Sequence, residues 1–455
     1  MTFTRKQDEN AIPLLPVLAG ELDQWLENAP QHHRRWIESS GFKAEPGKWC
    51  GLPDESGKLE ACVFGMADSG CLYQLSTLPE GLPPGHYRLV SVWNTDQRIQ
   101  ASLGWGLAGY RFDRYLKSDR PSPVLCLEED IADTVESLFQ AQSLVRDLVN
   151  TPTEDMGPEQ LAASAIYEGD RFNAKSEVII GDDLLAQNFP AIHAVGRAAS
   201  RAPRLVRVTW GDDDAPLVSL VGKGVCFDTG GLDIKSATGM LLMKKDMGGA
   251  AHVIALAQLI MQHELPVRIE LLIPAVENSI AGNAYRPGDV IQTRKGLTVE
   301  IGNTDAEGRV VLADGLAWTC EHEPDLVIDF ATLTGAARIA LGTDLPAIFS
   351  NHQEVAEAIA AAGERVEDPL WVMPLYQPYR KLIKSEIADI NNVGKNSYGG
   401  CITAALFLEH FVEPDIPWVH IDTFAWNQAP RPGRPTGGEA LGLRAVFNYL
   451  RERYG

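Results

Sequence analysis

Scarcities narrow the class of this chain before any motif is considered. Its seven cysteines are scattered with no Cys-x-x-Cys pair, which argues against a disulfide framework and suits a reducing compartment. No uninterrupted apolar run approaches membrane-spanning length, and the opening residues Met1 to Asn10 lack the apolar core of a signal peptide, so a cytoplasmic location with no membrane contact is expected. Positive charge is also short. Lys and Arg number 40 against 61 Asp and Glu, and the formal charge of -21 repels phosphate backbones and anionic membrane surfaces. Nucleic acid is therefore not an expected partner. The one modest cationic cluster, Arg197, Arg201, Arg204 and Arg207, reads as a solvated or subunit-facing surface.

Histidine and phosphate-binding motifs are missing where chemistry concentrates. None of the ten histidines falls in the polar clusters described below, which leaves a histidine-based zinc site or a Ser-His-Asp triad without support. Gly-Lys-Gly at 222–224 is not part of a G-x-x-x-x-G-K-[ST] loop.

At 455 residues the chain exceeds a usual single core, so two domains are expected. In the first part, β-prone runs such as Tyr87 to Trp93 mix with helical stretches such as Leu22 to Glu27. His32, His33, Cys50, Cys62 and Cys71 show no ligand spacing and are read as structural. Ile131 to Val149 carries apolar residues at helical spacing and stops before Asn150-Thr-Pro152, which predicts a linker helix. Beyond it, strands and helices alternate. Leu217–Val221, Val267–Ile273, Asp325–Phe330 and Trp418–Asp422 read as strands, and Ala250–Met261 and Val310–Trp318 as helices. The expected fold is α/β: a mixed, mostly parallel sheet covered by helices, with ligands collecting at the carboxyl ends of its strands.

Two charged clusters interrupt apolar, glycine-rich sequence. Lys223, Asp228, Lys235 and Asp246 form the first, and Asn303-Thr-Asp305-Ala-Glu307-Gly-Arg309 is the second. Four carboxylates in one buried pocket need compensating positive charge, and divalent metal ions supply it. Oxygen donors leave magnesium, manganese and zinc open. Two-metal hydrolysis is the chemistry the set suggests.

These residues closely resemble the leucyl aminopeptidase (cytosol aminopeptidase, M17) family. Asn283-Ala-Tyr-Arg-Pro-Gly-Asp289, Thr332-Leu-Thr-Gly335 and Gly400 to Leu406 continue the likeness in the family's order, and Gly104 to Tyr115 resembles the end of its N-terminal domain. The resemblance implies a small, variable, non-catalytic α/β domain over 1–130, a linker helix over 131–150 and a catalytic domain over 151–455. It implies that Lys223, Asp228, Asp246, Asp305 and Glu307 hold two divalent ions, zinc or manganese with magnesium as a further option, Asp228 and Glu307 bridging and Lys223 neutral. Lys235 would stay charged and donate to the developing alkoxide, and Arg309 would clamp a bicarbonate acting as general base. A salt bridge is the plainer alternative for Arg309. Met243, Thr332, Leu333 and Gly335 match the pocket that selects leucine-like first residues of peptide substrates, with core packing an equal reading of Met243. The family assembles as a homohexamer. Two departures stand out: Ser236 follows Lys235 where relatives often carry proline, and Arg431 to Gly442 differs from the family's usual wording. A regulatory protein that lost turnover and a two-metal phosphoesterase are the alternative functions.

Overall fold

The computed structural model describes residues 2–6, 8–67, 70–90, 93–117 and 121–455. Of the sequence expectations, Ser91 and Val92 of the Tyr87 to Trp93 run, and Met1 and Gln7 of the opening decapeptide, lie outside the described residues. The chain divides into two compact units, Met1–Ser143 with Gln428–Thr436, and Leu144–Asn427 with Gly437–Gly455. The division falls inside one continuous helix, Glu129–Asn150.

The smaller unit holds a six-stranded sheet in the order Phe3–Thr4, Val124–Cys126, His86–Leu89, Ile12–Leu18, Leu59–Met66, Trp49–Pro53. All pairings are parallel except the last, where Trp49–Pro53 closes the edge antiparallel to Leu59–Met66. Strand side chains alternate between faces, and the neighbours Val63 and Phe64 enter different buried clusters. Phe64 joins Leu14, Tyr87 and Trp105, while Val63 joins Val17, Ile37 and Leu52.

The larger unit is built on a nine-stranded mixed sheet. Its middle strands, Leu217–Gly222, Arg268–Asn278, Leu326–Ala331 and Trp418–Asp422, are mutually parallel, and antiparallel strands flank them. Leu217–Gly222, Leu326–Ala331 and Trp418–Asp422 are buried at every residue, as strands covered on both faces must be. Val221 packs into the cluster that includes the helices Pro190–Gly196, Glu307–Cys320 and Gly400–Glu409. The next residue, Gly222, faces the other way, where a Cβ would stand 2.3 Å from Val253 of the helix Gly248–Gln262. Helices therefore cover both faces. The cationic cluster is largely paired: Arg201 meets Glu154 and Glu277, Arg204 meets Glu159, and Arg207 meets Glu177 and Glu270.

One buried carboxylate ties distant pieces together. The helix Pro190–Gly196 has no capping side chain of its own, and Asp314 takes that part from another helix. Its Oδ2 accepts from the backbone N–H of Ala191 and Ile192 at 2.8 and 3.2 Å, and its Oδ1 from Arg294 N–H at 2.8 Å. Burial pushes this carboxyl up to about 7, against the pull of the three N–H donors. Asp314→Ala would leave those donors buried without an acceptor, an expected loss of about 3 kcal/mol. A denaturation midpoint that does not move would contradict this bracing role.

Candidate metal centre

Parallel strands bring their carboxyl ends to one rim, and the side chains just past that rim can converge. Leu217–Gly222 leads into Lys223, Gly224–Asp228 ends on Asp228, Leu326–Ala331 is followed by Thr332, and Trp418–Asp422 ends on Asp422. A single-turn helix, Met243–Met247, adds Asp246, and the amino end of Glu307–Cys320 adds Glu307, with Asp305 just before it.

Seven of the expected residues meet here, Thr332 among them. Lys223 Nζ lies 2.8 Å from Asp246 Oδ2 and 2.9 Å from Glu307 Oε1, and donates to the Thr332 carbonyl at 3.0 Å. Its stem crosses the first turn of the Glu307 helix. Gly308 permits this, since a Cβ there would stand 2.5 Å from Lys223 Cε. Lys235 Nζ sits between Asp228 Oδ2 at 2.8 Å and Asp305 Oδ1 at 2.5 Å. The other oxygen of Asp228 accepts from Gly230 N–H and Asn278 Nδ2, both at 2.8 Å, which fixes the carboxylate plane.

Four carboxylates share two ammonium groups, and negative charge is in excess. Burial opposes the charge on Lys223, yet Asp246, Glu307 and Asp228 outweigh it and hold the ammonium well above its ordinary value. Lys235 is likewise disfavoured by burial and raised on balance by Asp228 and Asp305. The carboxylates carry the cost. Burial, then repulsion from Asp228, raises both Glu307 and Asp305, and the lysines offset this only partly. Asp228, Asp305 and Glu307 each bring one oxygen within 4.8 Å of the others. Glu307 Oε2 is buried without a hydrogen-bond partner. A buried, oxygen-rich set with surplus negative charge and an orphaned carboxylate oxygen fits a hard or borderline dication.

Arg309 lies in the first turn of the same helix, buried, with Nη1 donating to the Asn392 carbonyl at 2.8 Å and Nε unpartnered. Burial lowers its guanidinium to about 10, which leaves it a cation at neutral pH. Its hydrogen-bond partner is a carbonyl rather than a carboxylate. The residues expected to line a pocket are more mixed. Met243 is half-buried, Leu333 packs against the large core cluster, and Gly335 is exposed at the start of Gly335–Leu341. Thr332 spends its hydroxyl on Asp246, 2.8 Å from Oδ1 and 3.0 Å from the carbonyl, so it braces a carboxylate.

Three supporting residues escaped the sequence reading. Asp422 accepts from Leu333 N–H, Thr334 N–H and the Thr334 hydroxyl at 2.9, 3.2 and 2.6 Å, fixing the loop after Leu326–Ala331. Asn278 links Asp228 to the Thr304 carbonyl. Asn392 accepts from Gly302 and Asn303 N–H and so shapes the approach to Asp305. Asp422 and Asn278 both end strands at the site rim, where the strand-end rule points. Asn392 follows the short Ile390–Asn391 strand, and nothing in its local sequence marks it.

Comparison with known proteins identifies the family. Residues 143–447 match the cytosol aminopeptidase family, catalytic domain, and residues 12–128 match the M17 aminopeptidase N-terminal domain. A probable cytosol aminopeptidase of Syntrophotalea carbinolica is 40% identical over 398 residues, covering 83% of this chain and 78% of that protein. Peptidase B of an Enterobacter species is 37% identical over 400 residues, covering 85% and 91%. The crystal structure of cytosol aminopeptidase from Coxiella burnetii superposes with a TM-score of 0.97 at 49% identity, over 100% of this chain and 99% of that one. The bottromycin maturation enzyme BotP in complex with Mn gives a TM-score of 0.88 at 31% identity, over 98% and 99%. With both of its domain types matched in order along one chain, the protein belongs to the cytosol aminopeptidase (M17) family and is a hydrolase of the aminopeptidase type.

Proposed function

We propose that this chain is a two-metal aminopeptidase that removes leucine-like residues from the amino ends of peptides. Lys223, Asp228, Asp246, Asp305 and Glu307 would hold two divalent ions, manganese or zinc, with magnesium a third candidate. The observation that carries the reading is the convergence of Asp228, Asp305 and Glu307, one oxygen of each within 4.8 Å of the others, with Glu307 Oε2 buried and unpartnered. The manganese in BotP supports the choice of ion class. When bound, such ions supply activation of water and polarisation of the scissile carbonyl.

The remaining steps belong to the chain's own groups. Lys235, held between Asp228 and Asp305, keeps its proton and donates to the substrate carbonyl oxygen as negative charge grows there. Arg309 offers the free Nε edge of its guanidinium to a small planar anion, which suits the proposed bicarbonate acting as general base. Lys223 is an ammonium while its neighbours are only carboxylates, and a dication beside it would reverse that balance and free its lone pair. Met243, Leu333 and Gly335, with Thr332, would line the pocket for the first side chain of a peptide. A homohexamer is part of the same proposal. Leu241, Ile339 and Tyr398, exposed by 77%, 84% and 80%, support burial against another copy, and sedimentation would test it. Among the described residues no helix is long and apolar enough to cross a membrane.

The test compares a leucyl chromogenic amide with an aryl phosphate, each after chelation and after manganese is restored. Amide hydrolysis that disappears with chelator and returns with manganese is the expected result. Turnover of the phosphate alone would replace the reading with a phosphoesterase. Inertness toward both would favour a regulatory member of the fold.

A further inference from the structure

A second cluster with ligand geometry lies in the smaller unit, built on residues whose local spacing announces nothing. The helix Gln31–Ser40 carries His32 and His33 in its first turn, and Leu59–Met66 carries Glu60. Both imidazole Nε2 atoms approach the same oxygen, Glu60 Oε2, at 3.4 Å from His32 and 3.1 Å from His33. One ligand atom from each residue lies within 4.8 Å of the others.

The backbone delivers Glu60 to this point. Leu52 pairs with Ala61 and Pro53 with Leu59, so Glu60 is the extra residue of a β-bulge against the edge strand. A bulge turns one side chain out of the regular alternation, and such irregularities gather beside functional sites. From this geometry we propose that His32, His33 and Glu60 form a binding site for one late first-row divalent ion, of the class of zinc, separate from the centre in the larger unit.

Three observations fit an ion at this point. A tetrahedral ion with bonds of about 2.0–2.2 Å sets neighbouring ligand atoms roughly 3.3–3.6 Å apart, a range that holds the 3.4 Å contact of His32, while the 3.1 Å contact of His33 would open slightly to admit the ion. The two imidazole rings are held together at a centroid distance of 4.2 Å, where two imidazoliums would repel, so one shared dication suits the pair better than two protons. His33 is 6% exposed, and its burial, with His32 beside it, lowers its basicity against the pull of Glu60, which favours a lone pair available to a metal. Two imidazoles and one carboxylate suit zinc, copper or nickel better than magnesium or calcium. Exposed Glu60 and His32 leave the remaining coordination positions to water and give the ion a path from solvent.

The test uses the full chain carrying Asp305→Asn and Glu307→Gln, so that the larger unit's centre does not compete. It is stripped with chelator and dialysed against zinc. One zinc per chain is expected, falling to none when His32→Gln or Glu60→Gln, both solvent-facing changes, is added. Copper(II) in the same chain should show nitrogen splitting in its electron paramagnetic resonance spectrum. In the otherwise unaltered chain, His32→Gln should lower zinc content by one while leaving leucyl-amide hydrolysis unchanged. Zinc content indifferent to both substitutions, or copper without nitrogen ligands, would overturn the proposal. So would loss of amide hydrolysis together with the zinc, because the ion would then belong to the other centre.

Discussion

Glu307→Gln should yield a folded chain that hydrolyses a leucyl amide at least ~1,000-fold more slowly, a loss of about 4 kcal/mol in transition-state stabilisation. Glutamine keeps the volume and one carbonyl oxygen toward Lys223, so packing around the helix amino end survives. What disappears is the charge at the point where three carboxylates converge. The same change should act in the opposite sense on the ion-free chain. Folded Glu307 has its pKa raised by burial and by Asp228. A raised carboxyl contributes its stability below the unfolded value and loses it as pH climbs through the folded value. The chelated native chain is therefore expected to weaken from the ordinary carboxylate range upward, and Glu307→Gln should flatten that slope. Kinetics with saturating manganese and melting with chelator across that window check both halves. Activity within about tenfold of the native chain would refute the ligand assignment.

Lys235→Ala should lower kcat by roughly 100- to 1,000-fold and leave KM nearly unchanged. The ammonium is 16% exposed at its side chain, so it borders the accessible side of the cluster, while Lys223 is enclosed at 4%. Its proposed hydrogen bond strengthens as the carbonyl oxygen gains charge, which is a transition-state effect. Removing it also takes a competing cation away from Asp228 and Asp305, so metal content should hold or rise. That measurement discriminates. A variant that loses its ions would show that Lys235 organises the carboxylates, and a pure rise in KM would show ground-state binding only.

The parallel core was legible where polarity and apolar runs coincide. Trp418–Asp422 shows its observed bounds in the sequence, because five residues buried on both faces must be apolar or paired. Arg268–Asn278 was not read in full, since Pro274 follows Ile273 and signals a stop. The strand passes through it, pairing with Arg204–Trp210 on one side and Gly224–Asp228 on the other. That extension carries Asn278, so the support of Asp228 was hidden with it. Charged residues of the main centre stood out because they interrupt apolar sequence. His32 and His33 do not, because their third partner arrives from a bulge in the strand Leu59–Met66, distant in sequence from their helix. The unfamiliar wording of Arg431 to Gly442 straddles a change of unit, as Gln428–Thr436 packs with the smaller one.

The anchoring of the Thr332–Thr334 loop by Asp422 has a consequence for biosynthesis. A ribosome making this chain emits every proposed ligand by Glu307, yet the strand bearing Asp422 follows more than a hundred residues later. Long-range parallel pairing is slow to form, so the nascent polypeptide passes through a stage with every proposed ligand made and the Thr332–Thr334 loop unbraced. The site is therefore expected to reach its final shape only once the chain has been made past Asp422.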